Sequence, residues 1–133
     1  SASITKNAVE KWHQMIENRD MSILSELLAD DVMFRSPVAF KPYEGKAVVF
    51  FIFTYLILVF DNFTYHREFY TEDGLNVVLE FSAIVSEKQL KGIDMIRFNA
   101  QGQIVDFEVM IRSKSGLEAL AVEMGQRITQ FKA

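Results

Sequence analysis

Few residue types in this chain are equipped for chemistry. It holds no cysteine, which excludes a thiolate zinc site, a disulfide frame and a cysteine nucleophile. It holds two histidines, His13 and His66, too few for a His-rich metal site. The strongest candidate is a carboxylate in an unusual place. Between Gly92 and Phe98, strand alternation puts Asp94, Ile96 and Phe98 on one face and Ile93, Met95 and Arg97 on the other. Arg97 assigns its own face to solvent or a rim, so Asp94 faces inward among apolar neighbours. A carboxylate there is costly unless it is paired, hydrogen-bonded or neutral. Asp94 is therefore expected to have a specific partner or a raised pKa, and to serve as a catalytic acid and base. Two alternatives stand beside this: a purely structural hydrogen bond, or a place near a sheet end where the carboxylate reaches water. Arg35 and Arg97 both point away from it, so the sequence names no partner.

The other polar candidates are weaker. Ser36 shares a face with Phe34, but no G-x-S-x-G surrounds it, so triad chemistry is not expected. His13 follows Trp12 on a helical stretch and points about 100° away, which puts it at a rim. His66 alternates with Thr64 and Glu68, away from Phe63, Tyr65 and Phe69, which places it on an outer sheet face.

The elements that must hold these residues follow from the pattern. Ile4 to Arg19 carries Val9, Trp12, Met15 and Ile16 on one helical stripe. Asp20 caps a short second helix, Met21 to Leu28. Val32 to Ser36 is a strand stopped by Pro37, and Val38 to Gly45 is loop. Lys46 to Phe60 has strand-like composition but helical length, and helix is the expectation. Strands follow at Asn62 to Tyr70, Leu75 to Ser86, Leu90 to Asn99 and Ile104 to Arg112. Their turns are expected at Glu72-Asp73-Gly74, Glu87-Lys88-Gln89 and Ala100-Gln101-Gly102. In the last strand Val105, Phe107, Val109 and Ile111 share the helix-covered face. A capping box, Ser115-x-x-Glu118, opens a final helix to Gln130. The fold class expected is α+β: a curved antiparallel sheet with helices on one face, forming a single domain over residues 1–133.

Composition narrows the partners. The chain has 133 residues, a net charge of −4 and 50% apolar content, which fits one globular core and argues against disorder. No broad basic face for nucleic acid is expected. The run Ala47 to Phe60 (AVVFFIFTYLILVF) is uncharged, but a membrane span needs about 20 such residues. No membrane partner is expected, and the N-terminal residues carry no apolar signal core, which points to the cytoplasm. The outer sheet face mixes charge with Met95 and Met110, a pattern expected at a homodimer interface.

The stretch Leu27 to Gly45, LLADDVMFRSPVAFKPYEG, resembles the L-x-x-D-D-x-x-x-x-x-P segment of SnoaL-like and ketosteroid isomerase-like proteins. Gly92 to Phe107, GIDMIRFNAQGQIVDF, resembles the same family in its Asp, its R-F-x-x-x-G turn and its returning strand. The resemblance implies a cone: a curved sheet wrapped around three helices of the N-terminal half, with an additional C-terminal helix and an apolar cavity in its mouth. It places the isomerase's protonated aspartate on Asp94, its oxyanion tyrosine on Trp12 and its catalytic base on Ser36. The neutral aspartate of the isomerase is a well-known case, so the raised pKa expected for Asp94 is not independent of it. A serine cannot shuttle a proton between carbons unaided, so steroid isomerase activity at a useful rate is not expected. In the SnoaL cyclases a cavity Asp works alone, a part that Asp94 could take.

Three readings follow. The first is an enzyme of lyase, isomerase or cyclase type, needing no metal or organic cofactor. Its substrate is a small hydrophobic molecule bearing oxygen. Asp94 is the acid/base, and Trp12, His13, Phe34, Ser36, Tyr55, Phe81, Phe107, Val109 and Ile111 bind the ligand. The second is a binding module that holds such a molecule unchanged. The third is an interaction domain whose cone is filled by its own side chains. The 12 phenylalanines, with Phe40, Phe50, Phe51 and Phe53 near the mouth or a dimer contact, feed this last reading.

Overall fold

A computed structural model describes residues 2–132. Four helices and six strands run in the order α1 (Ala2–Asn18), α2 (Met21–Leu27), β1 (Leu28–Arg35), β2 (Tyr43–Glu44), α3 (Lys46–Val59), β3 (Asp61–Tyr70), β4 (Asn76–Val85), β5 (Lys88–Phe98), β6 (Ile104–Arg112) and α4 (Lys114–Lys132). One sheet has the order β2-β1-β6-β5-β4-β3. The meander β3 to β6 is antiparallel, as its short connections require. The sheet is not antiparallel throughout, however. β1 lies parallel to β6, with Phe34 opposite Phe107, because the long path through α3 and the meander returns the chain alongside β1. Arg35 ties this parallel seam: its Nε donates to Asp106 Oδ1 at 3.1 Å and its second guanidinium nitrogen to Oδ2 at 3.0 Å.

Asp20 caps α2 as expected, accepting from the amides of Ser22 and Ile23. α3 forms despite its β-branched content because its neighbours bury Val49, Ile52, Phe53 and Val59. At 14 residues it is too short to cross a membrane, and no helix among the described residues is long and apolar enough to do so. α4 begins at Lys114, one residue before the expected cap. Ser115 therefore lies in its first turn, and Leu117 N–H bonds back to the Ser113 carbonyl.

Four sequence expectations shift in detail. Leu28, expected to end α2, begins β1, so this strand starts four residues before the expected Val32. The β4–β5 turn is Ser86-Glu87, with φ of 46° and 68°, while Lys88 and Gln89 belong to β5. Both turn residues are left-handed, the geometry a two-residue hairpin needs, and Ser-Glu gives no glycine or asparagine to mark it. The loop after Pro37 contains a short strand, β2, which pairs with β1. In β3, register shifts after Asp61 and after Tyr65 break the alternation. Phe63 and Tyr65 point inward as expected, but the second shift turns Glu68 to the helix side, where it meets His13 of α1. Phe69 is turned out and is 53% exposed. An inserted residue resets a two-residue period, and nothing in the composition announces it.

The core lies between the sheet and α1, α2 and α3. Met15, Leu24, Leu28, Val32, Val49, Val85 and Ile104 are fully enclosed there.

Candidate active site

The cavity grows from these elements. β5 carries Asp94 inward on the face it shares with Ile96 and Phe98, so the alternation argument holds: all three are buried. β3 delivers Tyr65 two strands away, on the row that also holds Phe81. α1 lays Trp12 over them. A hydrogen-bond chain joins the three: Trp12 Nε1–H donates to Tyr65 Oη at 2.8 Å, and Tyr65 O–H donates to Asp94 Oδ2 at 2.6 Å. Burial pushes the Asp94 carboxyl up from 3.8 to about 7, partly offset by the Tyr65 hydrogen bond. Burial and the neighbouring Asp94 charge push the Tyr65 phenol well above its usual 10, so it stays protonated.

Gly92 makes room for this arrangement. A methyl group there would come within 2.5 Å of the Met110 carbonyl oxygen and 2.7 Å of Phe81 Cζ, so the Phe81 ring lies where a side chain would otherwise stand.

Around the chain lies a cavity of about 740 Å3, in the size range of small-molecule sites. Its wall is mostly apolar and aromatic. Trp12 meets Phe53 edge to face at 5.9 Å and Phe107 at a tilt at 5.1 Å, Phe53 in turn meets Phe34 and Phe107 edge to face, and Phe63 stacks on Phe81 at 4.9 Å. Of the residues expected from sequence, Asp94, Trp12, His13, Phe34, Ser36, Phe81, Phe107 and Val109 line it. Tyr55 and Ile111 are not among the lining residues. Tyr55 sits on another side of α3, against Phe51 at 5.2 Å. Ile111 is half-buried on the row of Gly92, one step past Val109. Phe53 lines the cavity, whereas Phe40 is fully exposed and lies elsewhere.

Two polar residues differ from their expected roles. Trp12 spends its indole N–H on Tyr65, not on a ligand. Ser36 Oγ accepts from the amides of Val38 (3.0 Å) and Ala39 (3.1 Å), a local turn that holds the loop after β1. His13 is at a rim, as read from the helix, with Nε2 3.0 Å from Glu68 Oε1 and its ring 5.0 Å from that of Tyr65.

Sequence reasoning missed Tyr65 as the partner of Asp94. Its inward assignment was the available signal, but register across three strands was not. It also missed α4 as a wall: Leu120, Ala121 and Met124 line the cavity together with Ile52, Leu56 and Phe60.

The comparisons agree with this geometry. The family model of the SnoaL-like domain matches residues 9–107. The chain belongs to the SnoaL-like family. A steroid delta-isomerase from Pseudomonas aeruginosa is 52% identical and superposes with a TM-score of 0.93, over 96% of this chain and 93% of that one. An uncharacterized protein with a cystatin-like fold from Silicibacter pomeroyi is 31% identical, with a TM-score of 0.86 over 92% and 85% of the two chains. The epoxide hydrolase/cyclase-like enzyme SalBIII, of pyran ring formation in salinomycin, is 16% identical with a TM-score of 0.70 over 84% and 92%, a likeness of fold alone. No curated protein matches the chain. The SnoaL-like fold therefore stands as an α+β arrangement with a mixed six-stranded sheet and a C-terminal helix.

Proposed function

We propose that this SnoaL-like protein is a cofactor-independent enzyme of isomerase, lyase or cyclase type, in which Asp94 is acid and base toward a small oxygenated hydrophobe. The observation that carries the reading is a carboxyl held near pKa 7 inside an apolar cavity, with no ion-pair partner among the described residues. At neutral pH such a group populates both protonation states. It can give a proton to a ligand oxygen and take one back. The isomerase relative at 52% identity supports chemistry of this class.

Rapid steroid isomerisation is not part of the proposal. That reaction needs a second base, and the Ser36 hydroxyl at that position is tied to its own loop. Ser36→Asp should therefore raise turnover of a Δ5-3-ketosteroid above that of the wild type. The main test is a panel of small apolar ketones and epoxides with the wild type, Asp94→Asn and Asp94→Leu. Turnover lost in both variants, with the fold retained, is the expected result. Turnover unaffected by the substitutions overturns the assignment of Asp94.

A second reading is favoured by the same serine. Without a base opposite Asp94 the cavity becomes a binding site, and a ligand would be recovered unchanged after long incubation. On either reading we propose that two copies pair through the outer sheet face. Phe69, Met95 and Met110 are exposed there among charges of both signs, so the face can complement itself across a two-fold axis. Sedimentation of the wild type against Met95→Glu tests this: a dimer that splits supports it, and a wild-type monomer overturns it.

A further inference from the structure

The indole N–H of Trp12 can only donate, so Tyr65 Oη must accept from it. That leaves the phenol proton for Asp94 Oδ2, 2.6 Å away. Oδ2 is therefore an acceptor, and when the acid is neutral its proton belongs on Oδ1. Oδ1 has no protein partner among the described residues, yet it is not one of their sealed unpartnered atoms. It opens on the cavity that Asp94 lines. We infer that Trp12 and Tyr65 form a one-way hydrogen-bond chain in which Tyr65 is a positioning residue: it keeps the acid proton on the cavity-facing oxygen, so the site selects ligands whose oxygen only accepts, such as a ketone, epoxide or cyclic ether.

The ligand class rests on the acid–base reading above; the direction of the chain does not. The same bond stabilises the carboxylate left after the proton has been given, since a phenol donor favours the charged form. The titratable groups beside this axis are His13 of α1 and Glu68 of β3, which bond each other next to Tyr65, with Glu68 adding to the push on its phenol; Glu17, Arg19 and Asp61 also line the cavity. The residues that β4, β6, α3 and α4 bring to the site are apolar: Phe81, Phe107, Val109, Phe53, Leu120 and Met124.

The test reads the Asp94 carboxyl directly, as the pH midpoint of its protonated C=O infrared band, assigned by its loss in Asp94→Asn. Tyr65→Phe should raise the midpoint from about 7 by about one to two pH units, the worth of one hydrogen bond to a charged group. Trp12→Phe should raise it by less, and His66→Gln, at a residue bonded to Ser82 away from the cavity, should leave it in place. A midpoint that falls in Tyr65→Phe overturns the direction, because Asp94 would then be the donor to Tyr65; an unchanged midpoint overturns the chain. Should Tyr65→Phe not fold, 3-fluorotyrosine at position 65 keeps the shape with a more acidic phenol. It should lower the midpoint, and no fall overturns the inference. For the ligand class, 2-acetylnaphthalene should bind more tightly than naphthalene, and Asp94→Leu should erase the preference. A wild type that binds both alike overturns that class. An upward shift in Tyr65→Phe without turnover on any ketone or epoxide counts against the enzymatic reading alone.

Discussion

Glu80 and Asp94 stand on facing strands one register step apart, and they are held in opposite states. Leu79 pairs with Asp94, and Glu80 pairs with Ile93. The two acids are similarly enclosed, 6% and 5% exposed. Glu80 points to the outer face, where Arg67 grips both of its oxygens at 2.8 and 2.7 Å and Lys91 Nζ adds a contact at 3.0 Å. These bonds hold its carboxyl far below the usual carboxylate range. Asp94 points inward and meets one phenol, and burial drives it up to about 7. Similar exposure thus yields one fixed anion and one neutral-poised acid: Glu80 lies shallow beneath two solvated cations, while Asp94 lies deep with no charge paired to it. Cations can serve the outer face because their side chains end in water: those of Arg67 and Lys91 are 70% and 51% exposed. On the inner face no cation of the described residues is paired with Asp94. The first acid is fixed as an anion by its partners, and the second is the one that titrates near neutral pH.

The largest expected difference between them is in turnover. Asp94→Asn should cut kcat/KM on an apolar ketone or epoxide substrate by about 10²–10⁴-fold, the usual worth of a general acid or base. Glu80→Gln should leave it unchanged. Equal losses in both variants would break the distinction.

Stability should separate them next. The folded-state value of Asp94 lies above its unfolded value, so the unfolded chain ionises first as pH rises. Stability is therefore greatest below about pH 4 on account of this group, falls between 3.8 and about 7, and is level beyond. The gap corresponds to about 4 kcal/mol. Asp94→Asn removes that loss, so relative to wild type it should gain about that much between pH 4 and pH 8, read from urea unfolding at each pH. A gain that does not depend on pH would mean that the carboxyl is not held neutral.

The inward half of this contrast was legible in the sequence, and the failures of the reading have physical causes. Alternation along Gly92 to Phe98 was enough to send Asp94 inward, since β5 has no register shift until after Arg97. The same logic failed at Glu68, which lies beyond a shift in β3. The four helices were visible as periodicity, caps or length. The parallel seam between β1 and β6 was not, because it joins segments about 70 residues apart with no local mark on either. Tyr65 was read as inward but not as the partner of Asp94, since contact across three strands depends on register and not on type. The resemblance put the oxyanion donor on Trp12. The structure passes the bond on to Tyr65, a residue no family position singled out.

Gly92 offers a way to disturb the inner acid without touching the outer one. A methyl group there meets the Met110 carbonyl and the Phe81 ring, and a backbone oxygen yields little. Gly92→Ala should cost about 1–3 kcal/mol by overpacking. It should also displace Phe81 and move the Asp94 titration, while leaving the Arg67–Glu80–Lys91 cluster intact. Denaturant unfolding and the carboxyl infrared band would read the two effects. A variant as stable as wild type would mean that the β5–β6 spacing is looser than 2.5 Å allows.

The smallest effect belongs to Glu80→Gln, and its sign matters more than its size. Gln keeps the shape and one acceptor but loses the charge. The folded-state value of Glu80 lies below its ordinary 4.5, so its contribution is fully present above that pH and fades as pH falls toward the depressed native value. The wild type should be the more stable protein at pH 7, and its advantage should shrink in acid and in high salt. The effect stays small because Arg67 and Lys91 are largely solvated whether or not Glu80 is charged. Asp94→Asn and Glu80→Gln should therefore give pH profiles of opposite slope from carboxyls of similar enclosure. Parallel profiles would mean that burial, and not the charge of the neighbours, sets the state of both.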